Sequence, residues 1–470
     1  MRYTLTILED HFLKVDEDSV QNNTGYTFLL CGTSIVSADI WDKESEIRFL
    51  SKYVIQKSEQ QTDNVAGLDK PSSNDRILEY VIERAKQEKL NICFVRNSIS
   101  QELGSSDDAL TLLFKKEVAD FVSTGLTVLV LYIHDKDLSA FIRTKDNDLS
   151  EISFIRVIGK RFRFYYPQKF TIHTPTEFNR QQLAFGDTLT VDLSKLRIGV
   201  IGCGATGSAT SHMLARLGIG QLLLIDKDVV ERTNLNRLYG ATMHDADKQI
   251  HKVNVLKNLI TGIGVGCNVR VIPDWVGAQT CQEALKCCDI IFCCTDDNSG
   301  RVLLNRLAYF YHIPVIDMGL EISMTKVEPK KITAIMARVT VILPGTQCLI
   351  CRKVVNTRLA REESLERTDP EAYRQQKVEA YVTGEGNPRP AVITFTTETA
   401  TMAVNELLHR MTGFKNGVNT DHFVHFIDVQ FSENKCIRKP SSEINKDCPI
   451  CSNKHYWGTG DVIPFLDTAN

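Results

Sequence analysis

A chain of 470 residues with 43% hydrophobic and 24% charged side chains is long enough for more than one packed domain and too apolar to be disordered. Its 55 basic and 58 acidic side chains give a net charge of −3, which excludes a strongly basic nucleic-acid reader. The longest apolar stretch, 126–133, is too short to cross a bilayer, and residues 1–6 lack a secretory apolar core, so a cytoplasmic protein is expected, with no membrane partner and with its 14 cysteines as thiols, ligands or nucleophiles rather than disulfides.

The polar stretch 56–75 predicts a surface loop, with Pro71-Ser72-Ser73-Asn74 as a helix-start signal. Helical spacing of Ile77, Tyr80, Val81 and Ala85 follows, then an apolar strand at 92–95, a helix over 108–121 and a strand over 127–133. Together these predict an α+β domain over 1–168. From Thr171 the texture changes. Strands at 197–201, 221–225, 269–272, 290–294 and 313–316 alternate with helices through 217, over 252–260 and over 301–311. Such alternation predicts an α/β, doubly wound, Rossmann-like parallel sheet. The alternation stops after Pro344. A charged insertion over 352–390, read as a solvated helix-loop or a contact for a substrate tail, precedes a helix through Leu407. Residues 456–470 read as a tail.

Gly202, Gly204 and Gly207 stand as G-x-G-x-x-G between a strand and a helix, where a tight turn, close backbone approach and a helix N-terminus suit phosphate. Asp226 ends the next strand, placed to bond ribose hydroxyls. Alone, this pattern fits an NAD-dependent oxidoreductase as well as an ATP enzyme.

The run Asp226-Lys227-Asp228-Val229-Val230-Glu231-Arg232-Thr233-Asn234-Leu235-Asn236-Arg237 resembles the D-x-D-x-V-x-x-x-N-L-x-R signature of the ThiF/MoeB/HesA and ubiquitin-activating-enzyme superfamily. Glu177-Phe178-Asn179-Arg180-Gln181 resembles its R-Y-x-R-Q entry motif, and Cys294-Thr295-Asp296-Asp297-Asn298-Ser299-Gly300-Arg301 its C-T-D-N-x-x-x-R segment. The resemblance spans 171–455. It implies an adenylation domain that uses ATP and Mg²⁺ to join AMP to the C-terminal glycine carboxylate of a ubiquitin-like protein or peptide. It further implies that Arg237 meets the phosphates, Lys252 is the catalytic lysine and Asp296 holds Mg²⁺. Asp226, Asp228 and Asn234 join the glycines in nucleotide binding, and Arg180 reaches a partner subunit's nucleotide in a homodimer. Lys248 is the alternative to Lys252, which is preferred because it directly precedes the apolar run 253–256; spacing to Arg301 favours Asp296 over Asp297.

Cys348, Cys351, Cys448 and Cys451 form two C-x-x-C pairs at the family's places, the donor set of a closed structural Zn²⁺ site. Family members that pass the acyl group to a cysteine usually carry that thiol after the first pair, but 352–435 holds no cysteine. Adenylation is therefore the expected chemistry. A thioester on Cys436, beside Lys435, is the alternative, and a separate conjugating enzyme downstream is a possible partner. Cys203 reads as merely small, and Cys281, Cys287, Cys288, Cys293 and Cys294 as core packing.

In the N-terminal domain, Ser105 and Asp108 match the S-x-x-D of JAB/MPN-type metalloproteases, whose two histidine positions are here Val95 and Asn97. With those zinc ligands gone, the resemblance implies a peptidase-dead JAB-like domain. The pairing of the two domains resembles bacterial ubiquitin-like or antiviral defence operons.

Overall fold

The strands foreseen at 92–95 and 127–133 belong to a larger sheet than their pattern revealed. The computed structural model describes residues 1–21, 27–37, 45–56, 74–97, 125–134, 137–143, 149–166, 175–326, 328–379, 390–415, 422–429, 433–439 and 444–462. Two units divide the chain: Met1–Thr171 with Phe310–His312 and His455–Asn470, and Ile172–Tyr309 with Ile313–Lys454.

The first unit is built on a nine-stranded mixed sheet. Its strands are β1 (Arg2–Leu8), β2 (Thr27–Val36), β3 (Glu46–Gln56), β4 (Asn91–Asn97), β5 (Val128–His134), β6 (Asp137–Arg143), β7 (Leu149–Glu151), β8 (Phe154–Ile158) and β9 (Phe162–Tyr165). They lie in the order β7-β6-β5-β4-β2-β3-β1-β8-β9. Alternate residues of β2 enter different cores. Leu29 and Cys31 pack with Leu5, Leu129 and Leu131, whereas Phe28 and Leu30 pack with Ile92, Phe94 and Val130. Helix Glu9–Gln21 sends Phe12 and Val15 into the first core, and helix Asn74–Glu88 sends Ile77, Val81 and Ala85 into the second. The 77/81/85 spacing is the buried stripe of an amphipathic helix. With both faces covered, β2 reads without a clear alternation, which explains why it escaped the sequence reading.

Gln56 closes β3 and Asn74 opens a helix, so the predicted 56–75 loop is shorter at both ends; 57–73 lie outside the described residues. The predicted helix over 108–121, with Ser105 and Asp108, also lies outside them, while Val95 and Asn97 sit on β4. Of the stretch read as a tail, the described residues 456–462 belong to this unit. Gly460 bridges to Thr33, the Ile35 N–H donates to Asp461 Oδ2 at 2.6 Å, and the Tyr311 hydroxyl donates to Asp461 Oδ1 at 2.9 Å.

The second unit carries an eight-stranded sheet in the order β12-β11-β10-β13-β14-β15-β16-β17. Its strands are β10 (Arg197–Ile201), β11 (Gln221–Ile225), β12 (Asn268–Ile272), β13 (Ile290–Cys293), β14 (Val315–Met324), β15 (Ile332–Ile342), β16 (His422–Asp428) and β17 (Glu433–Lys439). β12 through β14 are parallel, as foreseen; β14 through β17 are antiparallel, which was not. β10 is buried along its length, as a central parallel strand covered on both faces must be. Strand order reverses between β10 and β13, the switch point where α/β sheets open a crevice at the carboxyl ends.

The strand predicted at 313–316 runs on to Met324. Its parallel partner β13 ends where Cys293 meets Asp317, so the remainder pairs only with β15 and projects past the carboxyl edge. Polar residues such as Glu321 interrupt the apolar run there, which hid the extension. Helix Ile393–Thr412 packs on helix Ala205–Arg216 and on β14 and β15. Among the described residues, no helix is long and apolar enough to cross a membrane.

Candidate active site

The crevice is a cleft of about 1680 Å³, wider than a typical small-molecule pocket of roughly 300–1,000 Å³ and roomy enough for a nucleotide plus the end of a chain. Gly202, Gly204, Asp226, Asp228, Asn234, Arg237, Lys252 and Asp296 all line it. Gly207 does not, and Arg180 stands exposed on helix Asn179–Phe185, away from the lining. Of the two candidate lysines only Lys252 lines the cleft; Lys248 is an exposed residue capping helix Met243–Asp247.

The three turn glycines do different things. Gly202, at φ +87°, lets the β10 turn touch the β13 turn: a Cβ there would stand 2.7 Å from Thr295 N. A Cβ on Gly207 would lie 1.8 Å from the Gly202 carbonyl oxygen, whereas one on Gly204 would meet nothing within 4 Å and would project into empty space. Gly204→Ala should therefore leave stability within about 0.5 kcal/mol while weakening ATP binding. Gly207→Ala should cost about 1–3 kcal/mol by overpacking against backbone. Thermal melts and an ATP titration of both variants check the contrast.

Asp226 ties this turn to the next strand. Cys203 N–H donates to its Oδ2 at 2.6 Å and Asp228 N–H to its Oδ1 at 2.8 Å, and a carboxylate still has lone pairs left for a ribose. Burial pushes its carboxyl above the ordinary range, against the pull of Lys252 and these two amides. Lys252 opens helix Lys252–Ile263 and donates to Asp228 Oδ2 at 2.8 Å. Burial works to lower its pKa, but Asp226 and Asp228 outweigh it and raise the ammonium's pKa. Asn234 turns inward to cap its own 3₁₀ turn, accepting from Glu231 N–H at 3.2 Å. Arg237 is steadied by the Thr233 carbonyl and by Asn236 Oδ1.

The two acidic residues after β13 separate cleanly. Asp297 is occupied: it accepts from Trp275 Nε1 at 2.6 Å and from the Ser299 hydroxyl at 2.8 Å, and it lies 3.8 Å from Arg367. Burial raises its carboxyl pKa, but Glu363, Trp275 and Ser299 prevail and hold it at about 2. Asp296 is exposed to the cleft and has no hydrogen-bond or ion-pair partner among the described residues. It is the carboxylate available to a cation.

Residues of the charged insertion, expected as solvated surface or a substrate contact, reach this turn. Helix Thr357–Thr368 lays Glu363 and Arg367, one turn apart, against it. Ser299 N–H donates to Glu363 Oε2 at 2.8 Å as well as to Asp297 Oδ1 at 3.1 Å. Arg367 stacks over the Trp275 ring at 3.8 Å. Sequence reasoning also missed a buried ion triad on the far wall. Asp317, fully buried, lies 3.1 Å from Arg301 Nε and 2.6 Å from Arg338 Nη1.

Among the described residues Cys294 is the thiol that lines the cleft, and burial drives its pKa to about 12; Cys203, buried behind the glycine turn, is driven well up by the same cause. Cys281, Cys287, Cys288 and Cys293 are buried. Cys436 pairs with His425 through the backbone of β17, and its side chain lies outside the described residues.

Outside the cleft lining, Cys348, Cys351, Cys448 and Cys451 bring their sulfurs within 4.8 Å of one another, with Cys348–Cys448 and Cys351–Cys451 both at 3.7 Å. A tetrahedron with Zn–S bonds of about 2.3 Å has S···S edges of about 3.8 Å, so the four could hold zinc with little movement.

Comparison with known proteins fits this geometry. The family model described as the ThiF family matches residues 178–450. The chain is 33% identical over 107 residues to a tRNA threonylcarbamoyladenosine dehydratase of Bacillus subtilis, covering 23% of this chain and 41% of that protein. It is 29% identical over 141 residues to the B. subtilis sulfur carrier protein ThiS adenylyltransferase, covering 30% and 42%. It is 30% identical over 121 residues to the SAMP-activating enzyme E1 of Haloferax volcanii, covering 26% and 44%. It thus spans roughly two-fifths of the length of these curated relatives. Among solved structures, E. coli MccB with ATP aligns at TM-score 0.44 and 18% identity, covering 60% of this chain and 76% of that one.

Proposed function

The chain belongs to the ThiF family, and from that premise we propose that it is an ATP-dependent adenylyltransferase that activates the C-terminal glycine carboxylate of a ubiquitin-like protein or peptide. The observation that carries this reading is the convergence, in one cleft, of the glycine turn, Asp226, Lys252 and the unpartnered Asp296. A carboxylate oxygen bonds to the α-phosphorus, the bond from that phosphorus to the β-phosphate's bridging oxygen breaks, and pyrophosphate leaves with the electron pair. Gly204 leaves room for the phosphates at the N-terminus of helix Ala205–Arg216. Asp226 takes the ribose. Lys252 and Arg237 face the negative charge that builds up as the bond breaks. Asp296 is the residue that would hold Mg²⁺, and the ion would supply positive charge to neutralise the leaving group.

Arg180, exposed and outside its own cleft, fits a role on a second copy, so we place the enzyme as a homodimer. The raised thiol that lines the cleft, Cys294, favours adenylation without a thioester at this site; a conjugating enzyme would then act downstream. An oxidoreductase reading leaves Lys252, Arg237 and Asp296 without a purpose.

The test is ATP–pyrophosphate exchange driven by glycine-ended acceptors. Exchange that depends on acceptor and disappears in Asp296→Ala is expected; exchange unaffected by that change would refute the assignment. The four cysteines are assigned to a structural zinc. Metal analysis should find about one zinc per chain, and Cys448→Ser should lose it together with several degrees of melting temperature.

A further inference from the structure

The wall that β14, β15 and β16 raise beyond the parallel strands has an ordered face. Strand register sets three rows on it: Asp317–Thr340–His422, then Gly319–Arg338–Val424, then Glu321–Met336–Phe426. The first row is a hydrogen-bonded base. Thr340 Oγ1 lies 2.8 Å from His422 Nδ1 and accepts from Arg338 Nη1 at 2.8 Å, while Asp317 Oδ2 sits 2.6 Å from the same nitrogen. Arg338 is thus fixed through Nη1 alone. Its Nε–Nη2 edge has no partner among the described residues, though only 13% of the side chain is exposed. Gly319 keeps the space beside that edge open, since a Cβ there would stand 2.8 Å from Arg338 Nη2.

Arg301 and Arg338 share one buried carboxylate, Asp317, while Asp296 acts on Arg301 from the cleft and Glu321 stands exposed in the next row, so the buried part of the wall holds more cation than anion. Such a site wants an anion, and a guanidinium edge with two parallel N–H groups matches a carboxylate. Position argues for which anion. The nucleotide residues stand at the ends of β10, β11 and β13, and β15 lies two strands beyond β13, about 10 Å at the usual strand spacing.

We propose that Arg338 is the seat of the acceptor's terminal carboxylate, held through its open Nε–Nη2 edge, and that Asp317 and Thr340 aim it. This rests on the adenylation reading given above. Val424, Met336 and Phe426 border the seat, so the acceptor is a polypeptide with a free α-carboxylate preceded by small or apolar residues. Arg338 keeps that carboxylate ionised and oriented, while Lys252 and Arg237 serve the phosphates.

The test uses the full-length protein saturated with a non-hydrolysable ATP analogue and a panel of hexapeptides ending in Gly-Gly, with apolar residues ahead, each made as the free acid and as the C-terminal amide. The acid should bind wild type at least about tenfold more tightly than its amide. In Arg338→Gln that ratio should fall to about one with ATP-analogue affinity unchanged, and Arg338→Lys should recover part of it. Lack of discrimination between acid and amide in wild type would overturn the proposal. So would a ratio that survives Arg338→Gln, or a parallel loss of nucleotide affinity, which would assign Arg338 to the phosphates. Acids that bind through Arg338 but never drive pyrophosphate exchange would instead overturn adenylation and leave the carboxylate seat standing.

Discussion

Lys252→Ala will lower acceptor-dependent pyrophosphate exchange by about 10²–10³-fold, the usual effect of deleting one preorganised donor to a transition-state anion. The Lys252 ammonium is held by Asp228 at 2.8 Å and drawn on by Asp226, so it is already aimed before any ligand arrives. Its loss has a second signature. Burial pushes the Asp226 carboxyl upward and Lys252 opposes that push. Without the cation the Asp226 pKa rises further, so the acidic limb of the residual activity must move to higher pH. A pH–rate profile of the variant reads the sign directly. Lys248→Ala serves as the control: that residue is exposed outside the cleft, and its loss should change the rate less than about twofold.

The largest stability loss is expected from Asp317→Ala. It strands two guanidiniums, Arg301 and Arg338, whose side chains are 11% and 13% exposed. Removing one partner of a buried ion pair costs about 3–5 kcal/mol because the remaining charge stays desolvated. For a unit of this size that corresponds to a melting temperature lower by roughly 10 °C. Burial raises the Asp317 carboxyl pKa, but Arg338 and Arg301 more than reverse this and hold it below its ordinary value. The stability it brings is therefore complete above the unfolded value of about 3.9 and drains away only as pH falls through the lower folded value. Wild type and Asp317→Ala should differ at neutral pH and converge in strong acid. Melts within about 2 °C of each other at pH 7 would show that solvent, not Asp317, balances the arginines.

That the proposed nucleotide residues share one cleft was legible because their placement is local. The glycine turn, Asp226 and Lys252 stand at a strand's end or a helix's start, Arg237 and Asp296 in the turns after β11 and β13, and buried parallel strands announce themselves as apolar runs. The wall proposed for the acceptor was not legible, because Asp317 and Arg338 come together through strand pairing and Arg301 reaches them from helix Asn298–Phe310. A signal did exist: β15 has a single charged residue, Arg338, in an otherwise apolar and small run, and Asp317 lies between Ile316 and Met318. A lone charge within a buried strand needs a counter-charge, and looking for one would have joined the two. The insertion misled for the opposite reason. A helix dense in Arg and Glu reads as solvated, and nothing in its pattern marks Glu363 and Arg367 as the face that turns inward. In the first unit, sheet faces covered on both sides erased the two-residue alternation by which β2 would have been recognised.

Ser299 N–H is shared between Asp297 and Glu363, and Arg367 is held between the Trp275 ring and the same Asp297. The turn that presents Asp296 is thus fastened from the insertion side as well as from β13. Whatever shifts helix Thr357–Thr368 moves the mounting of Asp296, and whatever fills the cleft beside Asp296 stiffens the helix. Binding events on the two sides are therefore thermodynamically linked, and the coupling must be reciprocal. A ligand that shifts helix Thr357–Thr368 and one that binds beside Asp296 therefore change each other's affinity by the same factor, and severing Glu363 and Arg367 together reduces that factor towards one.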